Sequence, residues 1–136
     1  MSRSLGRWRS FTVMSDTAKV AAERDRGYAI DIVEAAKLIG EYVDGKTFVD
    51  FAAQTVLQDA VIRRLEIIDE AAKCVSGSFK AAHSEVEWRK LARMRDLIAH
   101  HYRKVDLATV WDIARTHVPR LSRLVHAIAA GQTLVD

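Results

Sequence analysis

Apolar residues recur along most of the chain at steps of three and four, the spacing of one face of an α-helix. A first helix is predicted from about Ala21 to Val43. Its apolar stripe consists of Tyr28, Ile32, Ala36, Ile39 and Val43. Asp44-Gly45 predicts the end of this helix, because glycine readily adopts the left-handed conformation that closes one. Thr47 and Asp50 then stand at the spacing of a capping box, so a second helix is expected to begin here.

The second predicted helix is long, from about Phe48 to Val75, and it carries two neighbouring apolar lines. The first line consists of Leu57, Val61, Leu65, Ile68, Ala72 and Val75. The second line consists of Val56, Ala60, Ile67 and Ala71. Together they form a face wider than one neighbouring helix covers, which predicts burial on more than one side. A homodimer would provide the additional cover.

The C-terminal half shows further helix boundaries. "SGSFKAAHSE" has little periodicity and is predicted to be a loop, after which Ser84 and Glu87 stand at capping-box spacing. Asp106 is a candidate N-cap for the next helix, and Pro119 suits the first turn of the last one. That last helix is expected to end at Gly131. Its predicted buried face consists of Leu121, Leu124, Val125 and Ile128.

These elements predict an all-α domain, a bundle of four to five helices, because strand-like alternation is missing. The domain is assigned to residues 21–136. Residues 1–20 are interpreted as an extension, either flexible or a misassigned start, since Met14 begins a stretch that resembles a natural N-terminus. The chain has 136 residues, 49% apolar and 29% charged, which fits one soluble domain.

Cysteine content and hydropathy indicate the cellular compartment in which the protein is expected. Cys74 is the single cysteine, which excludes an internal disulfide, suits a reducing cytoplasm and is interpreted as a small buried residue. No apolar run approaches the ~20 residues of a membrane span. The N-terminal segment lacks an apolar core of signal-peptide length. A cytoplasmic protein without a membrane partner is therefore expected.

The net charge of +3 disappears when the three arginines of the first 13 residues are left out. The overall basicity is therefore weak evidence for a nucleic-acid partner. Residues 86–123, however, hold nine Lys or Arg and four Asp or Glu, a local excess of +5. Such clustering indicates either a polyanionic ligand or ordinary solvated helix faces.

The segment "RKLARMRDLIAHHYRKVD" (89–106) concentrates the chemically versatile side chains. On a helix, Arg95 and Tyr102 share one sector, while Asp96 and His100 form an i,i+4 pair on an adjacent one. Arg95 and His100 would point about 140° apart on a straight helix. They could converge on one substrate if the helix bends, or if a second copy of the helix faces the first across a two-fold axis.

These residue types suit RNA cleavage without a metal or other cofactor. His100 could move protons near neutral pH, and Arg95 could stabilise the charge that develops on the phosphate. Asp96 could orient the imidazole, and Tyr102 could bind phosphate or stack on a base. The flanking cations Arg93, Arg103 and Lys104 are candidate RNA contacts.

Interpretations without catalysis also remain for these residues. They could be ordinary polar side chains on a solvent-exposed helix face. The tandem His100-His101 could bind a metal, although no carboxylate cluster completes such a site. Three other histidines, His83, His117 and His126, are expected at the surface or in packing. The tryptophans at positions 88 and 111 are expected in the core.

Arg95-x4-His100-x-Tyr102 resembles the R-x4-H-x-Y motif of HEPN-domain ribonuclease toxins of the HepT-like group. "RRLEIIDEAAK" (63–73) is similar to that family's second-helix signature, and "YAIDIVEAAKLIGEYVDG" (28–45) to its first helix. "VEWRKLARMRDLIAHHYRKVDLATVWDIA" (86–114) is similar to its motif helix and the turn after it. Coverage runs from about Asp25 to Ile128. Asp96 departs from the asparagine often found after the motif arginine, and the segment before Trp88 lacks a proline-rich turn.

The resemblance implies a HEPN-type helical bundle, a homodimer and metal-independent endoribonuclease activity, with Arg95 and His100 as catalytic residues. It also implies the toxin of a type II toxin–antitoxin system and a minimal nucleotidyltransferase as its antitoxin. Such an antitoxin can transfer AMP to the motif tyrosine, here Tyr102. A non-catalytic HEPN module that binds a nucleotidyltransferase or nucleotides is the alternative, and a purely structural helical protein is a third reading.

Overall fold

The computed structural model describes residues 2–98 and 106–131, with side chains from residue 16 onward. These residues form α-helical segments and one π-helical turn, with no strand among them, which confirms the all-α prediction. The segments are α1 (Ser2–Val43), α2 (Phe48–Ala53), α3 (Thr55–Cys74), α4 (Gly77–Ala82), α5 (Trp88–Leu91), α6 (Met94–Ile98), α7 (Leu107–Asp112), the π turn (Ile113–His117) and α8 (Val118–Ala129). The predicted count of four to five helices was too low, because two of the expected helices are interrupted and one expected loop is helical.

The first helix provides the surface on which the other long helices pack. Its predicted stripe faces the core, with Ile32 and Ile39 fully buried and Tyr28 partly buried. α1 packs against α3 on one side and α8 on the other. Its backbone begins well before the predicted start near Ala21. Gly45, at φ +70°, follows its end as expected.

The second predicted helix is wrong as a single element, because Gln54 has an extended backbone that separates α2 from α3. The Gln58 side chain covers the break, since its Nε2 donates to the carbonyl oxygens of Phe51 and Ala52 at 2.9 and 3.1 Å. The predicted capping box at the start of α2 is confirmed. The Thr47 and Asp50 backbone N–H groups donate to each other's side chains at 2.9 and 3.2 Å. The Thr47 backbone N–H lowers the pKa of the Asp50 carboxyl most strongly, and the Thr47 side chain lowers it further.

The wide apolar face of α3 is largely covered within the chain. All six residues of its first apolar line are buried, and in the second line only Val56 is exposed, at 82%. α1 packs on one side of α3, while α5, α6 and α7 contact it elsewhere. Large exposed apolar side chains lie instead around α2, at Phe48, Val49 and Val56. The homodimer stays a prediction.

The segment after α3 differs most from expectation. The predicted loop contains α4, which begins after Ser76 because the Ser76 Oγ accepts from the Phe79 N–H at 3.2 Å. The predicted Ser84–Glu87 capping box is wrong, since α5 begins at Trp88 with no side-chain cap and Glu87 pairs with Lys90. Ala92 and Arg93 form a turn that separates α5 from α6.

Two further side-chain predictions near these helices have opposite outcomes. Trp88 is buried as expected, and its Nε1 donates to the His83 carbonyl at 2.9 Å. Cys74, expected to be buried, is exposed. It is the last residue of α3, where Ala71, Ala72 and Val75 take the buried positions, so Cys74 faces outward.

The C-terminal helices run without interruption from α7 through the π turn into α8. Asp106 caps α7 as predicted, with its Oδ1 accepting from the Thr109 N–H at 3.2 Å. Pro119 lies in the first turn of α8, and Gly131 follows the helix end at φ +77°. None of the helices in the described ranges is at once long and apolar enough to cross a membrane.

Candidate functional site

The structure describes one part of the predicted site. Arg93 lies in the turn before α6, and Arg95 and Asp96 lie on α6. His100, Tyr102, Arg103 and Lys104 lie outside the described residues, as does His101. The Asp106 N–H donates to the Ile98 carbonyl oxygen at 3.3 Å. Ile98 and Asp106, the described residues on either side of positions 99–105, therefore lie next to each other at the C-terminal end of α6.

A fully buried carboxylate, Asp69 on α3, holds the helix that carries Arg95. Its Oδ2 accepts from the Arg95 backbone N–H at 2.9 Å, and its Oδ1 pairs with Lys73 Nζ at 2.7 Å. N–H groups in the first turn of a helix have no partner within that helix, so Asp69 supplies one for α6. A buried charge is costly unless it is paired and hydrogen-bonded, and Asp69 is both. The position of α6 on α3 is thereby fixed by a charged hydrogen bond.

The Arg95 side chain extends from this anchor onto the surface of α3. Its Nη2 lies 3.1 Å from Glu70 Oε1 and 4.0 Å from Glu66 Oε2. Glu66 also pairs with Arg63 at 3.6 Å. The Arg95 side chain is 48% exposed, so it remains partly open to solvent. Exposed ion pairs contribute only ~0–1 kcal/mol, and a phosphate can therefore compete with these carboxylates for Arg95.

Sequence reasoning missed the roles of Asp69, Lys73 and the two glutamates, although a signal was present. Asp69 lies four residues after Leu65 and three before Ala72, both in the apolar stripe of α3. A carboxylate on the buried face of a helix needs a partner, and Lys73 stands one turn further on. The pattern alone indicates a buried ion pair, but not that the backbone at Arg95, 26 residues away, completes it.

The other two described candidates lie at the surface. Asp96 is exposed and makes no hydrogen bond or ion pair with any described residue. Its predicted pairing with His100 involves a residue outside the described ranges and stays a prediction. Arg93 is exposed and lines a groove of about 590 Å³ along α5 and α6. A smaller cavity, of about 220 Å³, lies between α5 and α6 on one side and the π turn and α8 on the other.

Metal-ligating residues do not assemble within the described ranges, where no group of three or more His, Cys, Asp and Glu side chains has the geometry to hold an ion. Two histidines form single contacts with acids. His117 Nε2 lies 3.5 Å from Asp112, and His83 Nδ1 lies 3.7 Å from Glu85. Neither pair contacts Arg95, so the candidate site remains the surface around α6.

Comparison with known proteins gives a consistent result. The family model described as "Ribonuclease HepT-like" matches residues 32–128, which include Asp69, Arg95 and segment 99–105. "Probable ribonuclease HepT" of Thermococcus cleftensis is 43% identical over 96 residues, 71% of this chain and 87% of that protein. "Putative RNase TTE0752" of Caldanaerobacter subterraneus subsp. tengcongensis is 36% identical over 103 residues, 76% of this chain and 92% of that protein. No solved structure matches the chain.

Proposed function

Because the chain belongs to the HepT-like ribonuclease family, we propose that it is a metal-independent endoribonuclease and the toxin of a type II toxin–antitoxin pair. Arg95 and His100 are its catalytic residues in this proposal, and Tyr102 is the position at which AMP transfer silences it. The observation that carries the proposal is the anchoring of the α6 backbone by buried Asp69, which presents a half-exposed guanidinium at the surface. A catalytic arginine needs a backbone that is held in place and a guanidinium that the substrate can reach.

The proposed reaction is attack of an RNA 2′-oxygen on the adjacent phosphorus. The 2′-hydroxyl loses its proton, the new O–P bond closes a 2′,3′-cyclic phosphate, and the 5′-oxygen leaves with a proton. His100 moves a proton in this exchange, because histidine is the side chain whose ordinary pKa lies nearest neutrality. Arg95 donates hydrogen bonds to the non-bridging oxygens, where negative charge accumulates in the transition state.

Chain connectivity supports the pairing of His100 with Arg95. His100 follows Ile98, the last residue of α6, by only two positions in the sequence. Arg95 precedes Ile98 by three residues, less than one helical turn. The two residues can therefore serve one phosphate within a single chain. A homodimer, which we also propose, would allow Arg95 of one protomer to act with His100 of the other.

The remaining predicted residues have supporting roles in this proposal. Asp96 orients His100, and Arg93, Arg103 and Lys104 contact RNA phosphates. The cognate partner is a minimal nucleotidyltransferase, and the setting is cytoplasmic. The contact of Arg95 with Glu70 also supports the proposal, because Glu70 is an exposed carboxylate that a phosphate can replace.

Cleavage in the presence of a chelator tests the proposed chemistry. We expect the purified chain to cleave single-stranded RNA equally well with and without excess EDTA, because the proton transfers and charge stabilisation come from side chains. Fragments with 2′,3′-cyclic phosphate ends should accumulate, whereas an RNA with 2′-O-methyl groups should stay intact because it lacks the attacking hydroxyl. Mapping the fragment ends by sequencing checks both expectations.

Two results would contradict this chemistry. Cleavage that stops in EDTA and returns with a divalent ion would contradict metal independence. Cleavage of the 2′-O-methyl RNA would exclude the 2′-oxygen as nucleophile. A chain that binds the nucleotidyltransferase but never cuts RNA would instead support the alternative, a non-catalytic HEPN module.

Modification of Tyr102 is expected to inactivate the enzyme. An attached AMP brings a phosphate that competes for Arg95 and a purine that blocks RNA entry. Co-expression with the proposed nucleotidyltransferase partner should therefore give adducts of AMP mass on the intact protein, together with loss of cleavage. The adducts should be absent from Tyr102→Phe, which lacks the acceptor hydroxyl.

The matched control for this experiment is Tyr42→Phe, a partly buried tyrosine on α1 that should leave the adducts unchanged. Tyr102→Phe should keep partial cleavage, because the hydroxyl is not one of the proposed proton carriers. If the partner neutralises the toxin while no adduct forms, it acts by binding alone and the proposed role of Tyr102 is wrong.

A further inference from the structure

The groove of about 590 Å³ along α5 and α6 is lined by apolar and charged side chains, which we call its floor and its rim. The floor consists of Val86, Trp88 and Leu97, of which Val86 and Trp88 are buried and Leu97 is 41% exposed. The rim carries four cations and one acid, Lys80, Arg89, Lys90, Arg93 and Glu87. We infer that this groove binds a single-stranded segment of the RNA substrate, with bases on the floor and phosphates on the rim. This inference rests on the proposed function and adds a binding surface to it.

The charges on the rim are largely uncompensated. Lys90 Nζ donates to Glu87 at 2.9 Å, which lowers the pKa of Glu87 and keeps this pair ionised. Lys80, Arg89 and Arg93 make no ion pair or hydrogen bond through their side chains with any described residue. Three cations therefore line one groove without a neutralising partner among the residues that the structure describes. Cations clustered on one surface create a positive potential that attracts a polyanion.

The combination of floor and rim selects the kind of polyanion. Single-stranded nucleic acids bind where a positively charged groove follows the backbone and bases pack on nonpolar or aromatic side chains. A duplex hides its bases in the stack, so its contacts would be restricted to the rim. An acidic protein surface would also satisfy the rim, but it would leave the apolar floor without a matching group. Single-stranded RNA uses both parts.

The groove lies beside the proposed catalytic arginine. Arg93 and Leu97 occupy one face at the start of α6, joined by the Leu97 N–H to Arg93 carbonyl bond at 3.0 Å. Arg95 lies between them in sequence and points to the other side, towards Glu70 on α3. A helix with its side chains is about 10 Å wide. A strand in the groove can therefore cross the short α6 and present its next phosphates to Arg95.

Loss of the rim cations is expected to weaken RNA binding independently of cleavage. The test is Arg89→Ala/Arg93→Ala in the full chain, with a fluorescent 2′-O-methyl single-stranded RNA as a probe that cannot be cut. We expect the Kd to rise about tenfold and the slope of log K against log salt to fall by about 1.4, or 0.7 for each of two phosphates. The matched control is Arg26→Ala/Lys37→Ala, which removes two exposed cations from α1. It should change both quantities much less.

The readouts separate this inference from the proposed function. If the wild type binds the probe through these cations but cuts no RNA, the groove inference stands and the ribonuclease proposal fails. If the wild type cuts RNA and both double variants bind the probe as tightly as the wild type does, the groove is not the RNA-binding site. If Arg89→Ala/Arg93→Ala binds RNA as tightly as the wild type but no longer binds the nucleotidyltransferase, the groove is a protein-binding surface and the inference is overturned. Unchanged helical circular dichroism shows that each variant is folded.

Discussion

Arg95→Ala and His100→Ala are each expected to reduce RNA cleavage by about two to four orders of magnitude, the usual effect of losing charge stabilisation or proton transfer. Arg95→Ala should leave the fold intact, because Asp69 binds the backbone N–H of residue 95 rather than its side chain. The side chain itself contributes only exposed ion pairs with Glu70 and Glu66. Single-turnover cleavage of a labelled RNA measures the loss, and circular dichroism checks the fold.

The same two variants determine whether the site is shared between protomers. Mixed after dissociation and reassociation, they form heterodimers in which one chain keeps Arg95 and the other keeps His100. If each site combines the two residues across a dimer, the mixture regains part of the wild-type activity. If each site lies within one chain, the mixture stays as inactive as its components. Sedimentation at micromolar concentration must first show a dimer, and a clean monomer that still cleaves RNA would exclude a shared site.

Asp69→Ala is expected to destabilise the protein and to disable the site at once. The substitution leaves the Arg95 N–H without its acceptor and removes the partner of Lys73. Losing a charged hydrogen bond and burying an unpaired donor together cost about 2–4 kcal/mol. Lys73 is half exposed and can be hydrated, which keeps the loss from being larger. Denaturant unfolding measures this free energy.

Two further variants separate position from charge at Asp69. Asp69→Asn keeps an oxygen that can accept from the Arg95 N–H, so it should recover most of the cleavage while losing the Lys73 ion pair. Glu70→Ala removes a carboxylate from the next position on α3, but an exposed one, and should change the free energy of unfolding by less than about 1 kcal/mol. If Asp69→Ala and Glu70→Ala have the same free energy of unfolding, buried Asp69 contributes little to stability and our account of α6 is wrong.

The long apolar stripes were predictable from the sequence because they depend on periodicity alone. Most residues expected to be buried on α1, α3 and α8, such as Ile39, Leu65 and Val125, are in the core. Val56 and Cys74 are exceptions, because both are exposed. Local caps that need only a short spacing were predictable for the same reason. Thr47 with Asp50 and Asp106 with Thr109 both form as expected.

Helix interruptions were not predictable, because they depend on contacts that short-range spacing does not encode. The break at Gln54 is stabilised by the Gln58 side chain, which binds a carbonyl oxygen of α2. The separate helix α6 is stabilised by Asp69 of α3, which accepts from its backbone. Ser84 and Glu87 have capping-box spacing, yet Glu87 pairs with Lys90 instead. The motif indicated Arg95, whose catalytic role stays a prediction. It gave no sign of the carboxylate that binds the Arg95 backbone, because Asp69 lies 26 residues away in the sequence.

The bond between Asp69 and the Arg95 backbone also bears on how this protein can evolve. Every amino acid except proline supplies the same N–H, so the scaffold makes no demand on the side chain at position 95. If Arg95 is catalytic as proposed, one substitution there can remove catalysis, and neither the helix nor the core has to change with it. Lineages that need only a binding module can reach one in a single step and return as easily. Active and inactive descendants of one such chain would share a fold and differ at a few surface positions.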